Sequence, residues 1–438
     1  MRLCALVVVG LALGCGSRAA SSAMPPAEHA PSRASRWASD FQQLDAARRA
    51  GDSRTTLRLV SEMRELAPSN PQLPLALARM AAERGDVAEA ARWLGHYADA
   101  GMTLGPEGAR LLGALASDPH AGQLTAQLAA NARATGAAQR AFALPAGDKL
   151  FEDVAWDPRA RRFYLSSVRD RRVYTVDADG QGMRALTAPE PDGSGVLGVA
   201  FDPVRHVLWM STAPLPPVPG YHHGDDAARA SSVASIDVAT GQVVQRFELR
   251  PDGKPHALTD LAIAASGDVL VSDATGGGLY IVRSGRAALE PLSTAFSSPQ
   301  TPAPRDAATV YVPDYALGIA RVDPRTGAVS WLSAPPEIAL SGIDGLYLIQ
   351  DALIAVQNGT RPPRVVRLEL APDGGSVVSA TVLAASPDLG APTHGAIVDD
   401  QLWFLANSGW SRFSDDGALV HDPPDDAPSI WRVPTAPR

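Results

Sequence analysis

Cysteine is almost absent from this sequence. Its 438 residues hold two, Cys4 and Cys15, both within the first fifteen positions. Beyond those positions no disulfide, thiolate metal ligand or cysteine nucleophile can form. Any metal held by the rest of the chain must rest on oxygen or histidine, which favours calcium or another hard cation. An excess of basic charge is missing too. The formal net charge is −8 and no basic run stands out, so nucleic acid is not an expected partner. No apolar run reaches the roughly 20 residues a membrane-spanning helix needs. The motifs G-x-S-x-G, H-E-x-x-H and C-x-x-C do not occur, which leaves serine-triad and zinc-protease chemistry without support.

The start of the chain has the layout of a secretory signal. Arg2 supplies a positive charge, residues 3–14 form a short apolar run, and Cys15 follows Gly14. The tetrapeptide Ala12-Leu13-Gly14-Cys15 resembles a bacterial lipobox, in which the cysteine becomes the lipidated first residue. The expectation is a signal peptide over 1–15 and a flexible Ala/Ser/Pro-rich tether over 16–35. Lipid on Cys15 then anchors the protein in the cell envelope, at the outer membrane on its periplasmic side or at the surface.

From 36 to 140 the sequence is rich in Ala, Leu and Arg at helical spacing. Leu57, Val60, Met63 and Leu66 fall on one face. Gly51-Asp52 returns as Gly85-Asp86, and Leu59, Val60 and Met63 align with Trp93, Leu94 and Tyr97. The period is 34 residues, that of tetratricopeptide helix pairs. A small all-α, TPR-like domain is expected. It serves as a cap or spacer, or as a surface for a protein partner.

From 141 to 438 the texture changes. Short strands end in Asp, turn, and return with aromatics, as in "VAWDPRARRFYLSSV" and "VAFDPVRHVLWMSTA". Outer hairpins share D-x-x-T-G-x-V in "SIDVATGQVV" and "RVDPRTGAVS". Six such units of about 40 to 50 residues indicate an all-β six-bladed β-propeller. The tryptophans Trp156, Trp209, Trp331 and Trp403 are expected to pack between blades. "TGGGLY" (275–280) reads as a hairpin turn.

In a propeller the first strand of each blade lines the axis. Those strands begin with Glu152-Asp153, Leu197-Gly198, Thr259-Asp260, Gln300, Asp344-Gly345 and Thr393-His394. Acids that meet at a buried axis need a cation, a hydrogen-bond network or water. Glu152, Asp344, Gln300 and Asp260 together offer the oxygens that calcium takes. His394 is either a hydrogen-bonded core histidine or a general base. His222 and His223, with Asp225 and Asp226, lie in a long insert in the second blade. They form a solvated loop or a second acid–base cluster.

"FEDVAWDP", "LTDLAIAASGDVLVSD" and "GIDGLYLIQDALIAVQNG" resemble segments of the six-bladed, calcium-dependent propellers of the gluconolactonase, senescence-marker-protein and paraoxonase group. The resemblance covers about two thirds of the chain. It implies that Glu152 and Asp344 are calcium ligands and that the activity is hydrolysis of a small lactone or ester; Asp153 and Thr259 are expected to support the site from behind those ligands. Thr259 and Gln300 stand where the group carries asparagine, and Leu197 where paraoxonases carry histidine. Two functions follow. One is an envelope-anchored calcium-dependent hydrolase with a small-molecule substrate in the channel. The other is a non-catalytic binding or scaffolding lipoprotein with a degraded metal site.

Overall fold

The computed structural model describes residues 31–145, 147–414, 416–420 and 427–436. The expected signal, Cys15 and most of the tether lie outside them. Six helices come first: α1 (Arg33–Arg49), α2 (Ser53–Leu66), α3 (Gln72–Glu83), α4 (Val87–Asp99), α5 (Gly108–Ala114) and α6 (Ala121–Asn131). The 34-residue repeat is visible in their caps. Gly51 and Gly85 take positive φ, which ends the preceding helix. Asp52 and Asp86 then accept from Thr55 N and Glu89 N, at 3.0 Å each, and start α2 and α4. The α2 residues Leu59, Val60, Met63 and Leu66 are buried against Leu73 and Leu77 of α3 and against Leu317 of the β region. Ala78, Ala81, Leu94 and Tyr97 form a second cluster that includes Ala339. Both helical cores therefore continue into the β region.

That region is a ring of six antiparallel sheets, each with four strands in sequence order apart from the closing sheet and one added edge strand. The innermost strands are β1 (Phe151–Asp157), β2 (Gly195–Asp202), β3 (Leu258–Ile263), β4 (Ala303–Asp306), β5 (Ile343–Ile349) and β6 (Gly395–Val398). The ring is a six-bladed β-propeller. It closes with chain from its far end: the segment Gln139–Ala143 pairs with Ser429–Pro434 as the outer strand of the sixth sheet. Residues 139 and 140, read from sequence as the end of the helical region, thus belong to a blade. Trp156 and Trp403, from the first and sixth blades, both pack on Phe163, with centroids 4.6 and 5.2 Å away.

The polar residues expected at the axis lie toward one face of the ring. In each blade the start of the first strand and the turn after the second strand lie at the same end. The blade-two insert (214–230) and the blade-six loop (407–414) emerge there. The helices dock there as well, over blades four and five. Leu340 N donates to Ser69 O (3.2 Å), Thr103 N to Arg361 O (2.8 Å), and Arg33 lies over the Trp331 ring. Buried Arg364 joins the two parts. Its Nε donates to Gln357 Oε1 (2.7 Å) and its Nη1 to Ala100 O (3.0 Å).

Candidate metal centre

The inner strands break register where the sequence places its polar residues. Strand pairing shifts between Phe151 and Val154, Val196 and Val199, Leu258 and Leu261, and Ile343 and Leu346. The two residues inside each shift are Glu152-Asp153, Leu197-Gly198, Thr259-Asp260 and Asp344-Gly345. A β-bulge releases such residues from the ladder and re-aims their side chains. Small residues let the bulges crowd the axis. A Cβ on Gly198 would sit 2.4 Å from Thr259 O, and one on Gly345 would sit 2.8 Å from the Tyr347 hydroxyl.

Three of the expected residues come together from three blades. Ligand atoms of Glu152, Asp344 and His394 all lie within 4.8 Å of one another, and all three residues are buried. Asp260 adds a third carboxylate. The imidazole stands among them. His394 Nδ1 is 3.8 Å from Glu152 Oε1, and its Nε2 is 2.9 Å from Asp260 Oδ1 and 4.0 Å from Asp344 Oδ1. The Asp260 approach is off the line of a hydrogen bond. His394 Nε2 and Asp260 Oδ1 therefore remain buried polar atoms without a hydrogen-bond partner.

Burial pushes Glu152 well above the usual carboxylate range; His394 opposes this and Asp344 adds to it. Burial likewise carries Asp344 up to about 6 against the pull of His394. For His394, burial favours the neutral ring, but Asp260 and Asp344 outweigh it and hold the imidazole well above its ordinary value.

The remaining predicted residues divide into those at the cluster and those away from it. Gln300 faces it. With its amide oxygen accepting from Ser298 Oγ (3.0 Å), its nitrogen donates to Asp344 Oδ1 (3.1 Å) and Asp260 Oδ2 (3.3 Å). Thr259 Oγ1 donates to Asp260 Oδ2 (3.3 Å). Asp153 is turned away into the sheet, where its carboxylate accepts from Val154 N (2.7 Å) and Val199 N (2.8 Å), tying the first blade to the second. Burial raises it to about 7, against the pull of His394 and of these amides. Leu197 joins an apolar cluster with Leu150, Val168 and Val218. His222 and His223 are exposed in the blade-two insert and outside the cluster.

Sequence reasoning missed two contributors. Trp410, in the blade-six loop, donates its indole N–H to Glu152 Oε2. Asn358, in the turn after the second strand of blade five, donates to Asp344 Oδ2 (2.5 Å). Both follow apolar strands, in "FLANSGW" and "IAVQNG", so a polar or aromatic residue just past an inner hairpin was the available signal. The Trp410 loop packs against the blade-two insert. Arg169 lies over the Phe413 ring and donates to Pro217 O (2.7 Å). Trp410 and Phe413 pack with Leu215 and Val218 of that insert.

Neither a family model nor a curated protein sequence matches the chain. Its structural neighbours are propellers. A gluconolactonase from Xanthomonas campestris is 18% identical over 70% of this chain and 92% of its own, with a TM-score of 0.46. A calcium-binding protein from Agrobacterium tumefaciens, regucalcin, is 18% identical over 69% of this chain and 96% of its own, with a TM-score of 0.47. A luciferin-regenerating enzyme is 13% identical over 68% of this chain and 95% of its own, with a TM-score of 0.48.

Proposed function

We propose that this chain is a calcium-dependent propeller hydrolase that acts on a small lactone or ester where Glu152, Asp344 and His394 meet. The convergence of these side chains within 4.8 Å carries the reading. Two Ca–O bonds of about 2.3–2.6 Å span such a distance. The donor set fits a hard cation: carboxylates of Glu152, Asp344 and Asp260, and the amide of Gln300. Asp260 Oδ1 faces His394 Nε2 at 2.9 Å yet has no hydrogen-bond partner, a further sign that this polarity is incomplete without a bound group. The Gln300 amide can turn either way, its nitrogen toward the bare carboxylates or its oxygen toward a cation.

A cation held there would polarise a substrate oxygen and lower the pKa of a water. The chain itself supplies the rest. Glu152 and Asp344 hold charge at the axis, and Trp410 fixes the Glu152 carboxylate. His394 holds a proton between Asp260 and Asp344, where it can be passed to or taken from a reacting oxygen. Trp410 and the loops above it exclude water.

A second reading has its own support. A protonated His394, 2.9–4.0 Å from three carboxylates, can do a cation's work. The propeller would then be a binding or scaffolding module without metal chemistry. Turnover separates the two. A panel of aliphatic lactones and aryl esters is expected to include a substrate whose hydrolysis stops on chelation, returns with calcium, and is lost in Glu152→Gln. Hydrolysis that survives chelation contradicts the calcium dependence, and none across the panel favours the second reading.

We also propose that the protein is held at the envelope by lipid on Cys15. Among the described residues no helix is long and apolar enough to cross a membrane. Cys15→Ser is expected to move the protein from the membrane fraction to the soluble one. A variant that still sediments with membranes after a high-salt wash contradicts the anchor.

A further inference from the structure

We infer that the helical region is a positioning element of the axial site, acting on Asp344 through Asn70, Tyr315 and Asn358. The inference rests on the proposed metal site for its consequence but not for its geometry. Asn70 is buried in the turn that leads into α3. Its side-chain nitrogen donates to Ala316 O (3.0 Å), and its Oδ1 accepts from Gln72 N (3.0 Å). It therefore clamps the blade-four turn that carries Tyr315. The Tyr315 hydroxyl donates to Asn358 Oδ1 (2.9 Å), and Asn358 Nδ2 donates to Asp344 Oδ2 (2.5 Å). With its oxygen engaged by tyrosine, the Asn358 amide has one orientation, nitrogen toward Asp344. That leaves Asp344 Oδ1 for the cluster.

The turns on this path are stacked without slack. Gly342 N donates to Tyr315 O (2.8 Å) and Gly359 N to Gly342 O (3.1 Å). A Cβ on Gly359 would lie 2.5 Å from Gly342 Cα and 2.8 Å from the Tyr315 hydroxyl. The base of Asn358 is held from the helical side as well. Its neighbour Gln357 donates to Ala339 O and Ser341 O (3.0 Å each) and accepts from Arg364, which reaches Ala100 O beyond α4. A helical region that was only a spacer would not need polar connections both to the blade-four turn, through Asn70, and to the blade-five hairpin, through Arg364. Groups that orient a ligand in this way typically tune affinity by about 10–100-fold.

Terbium(III), an oxygen-seeking stand-in for calcium, tests this in the full chain. Trp410 touches Glu152 and should sensitise its emission. Tyr315→Phe removes one hydroxyl, and Asn70→Ala removes the clamp. Each is expected to raise the terbium Kd about tenfold while the cation-free melting temperature stays near that of the wild type. Unchanged affinity in both variants overturns the positioning role and leaves the metal site standing. If the wild type binds no terbium, the metal reading fails instead, and crystal structures of the same variants decide the positioning role. An Asp344 carboxylate turned away from its wild-type orientation supports it, and one that stays in place overturns it.

Discussion

His394→Leu is expected to destabilise the protein by about 3–5 kcal/mol in cation-free buffer near pH 6.5, the cost of leaving buried charge without its partner. In the wild type the imidazole stands 3.8, 2.9 and 4.0 Å from carboxylate oxygens of Glu152, Asp260 and Asp344. Its folded pKa lies well above the ordinary value. Its stabilising contribution is thus complete below about pH 6.5 and disappears only as pH rises through the raised folded value. Without the ring the acids face one another. The folded pKa values of Glu152 and Asp344, already raised by burial, rise further. A buried acid with a raised pKa favours the folded state at low pH and loses that advantage as pH climbs through the folded value. The defect should therefore grow from pH 5 toward about pH 6.5, the range in which the wild-type imidazole still contributes in full. Calcium should also raise the melting temperature of His394→Leu more than that of the wild type, because a competing positive charge is gone. Urea unfolding across this pH range checks the first part. A variant as stable as the wild type at about pH 6.5 would show that the imidazole balances no charge.

Glu152→Gln is expected to act in the opposite sense. Glutamine keeps the size of the side chain and an oxygen for the Trp410 indole, but removes a carboxylate that burial already penalises. Stability without cations should equal or exceed that of the wild type. The response to calcium should largely vanish. A cation at 100 times its Kd stabilises the wild type by about 2.7 kcal/mol. Loss of a charged ligand should weaken binding by about 100-fold or more, so the same concentration leaves well under 1 kcal/mol. Thermal melts with and without calcium read this directly. Equal calcium shifts in both proteins would remove Glu152 from the site.

The axial residues were legible because each interrupts an apolar strand at its start. Glu152, Asp260, Gln300, Asp344 and His394 all read as polar residues at blade heads, and register shifts explain why a strand can begin with two acids. Glu152 turns to the axis, while Asp153 caps backbone amides in the sheet. The placement of His394 among the carboxylates carries no local signal, since Glu152 and His394 are brought together only by ring closure. The same holds for the closing strand Gln139–Ala143, which pairs with residues near the other end of the chain. Trp410 and Asn358 lie in loops whose paths are set by tertiary packing rather than by periodicity. The helical repeat was visible through Gly51-Asp52 and Gly85-Asp86. Its docking over blades four and five was not, because it depends on isolated residues such as Asn70 and Arg364.

The most direct measurement is the number of calcium ions bound per chain, by isothermal titration after chelation and dialysis. It should be made on the wild type and on Glu152→Gln/Asp344→Asn. The axial site predicts one ion in the wild type that is lost in the double variant. No ion in the wild type, or one ion in both proteins, contradicts it.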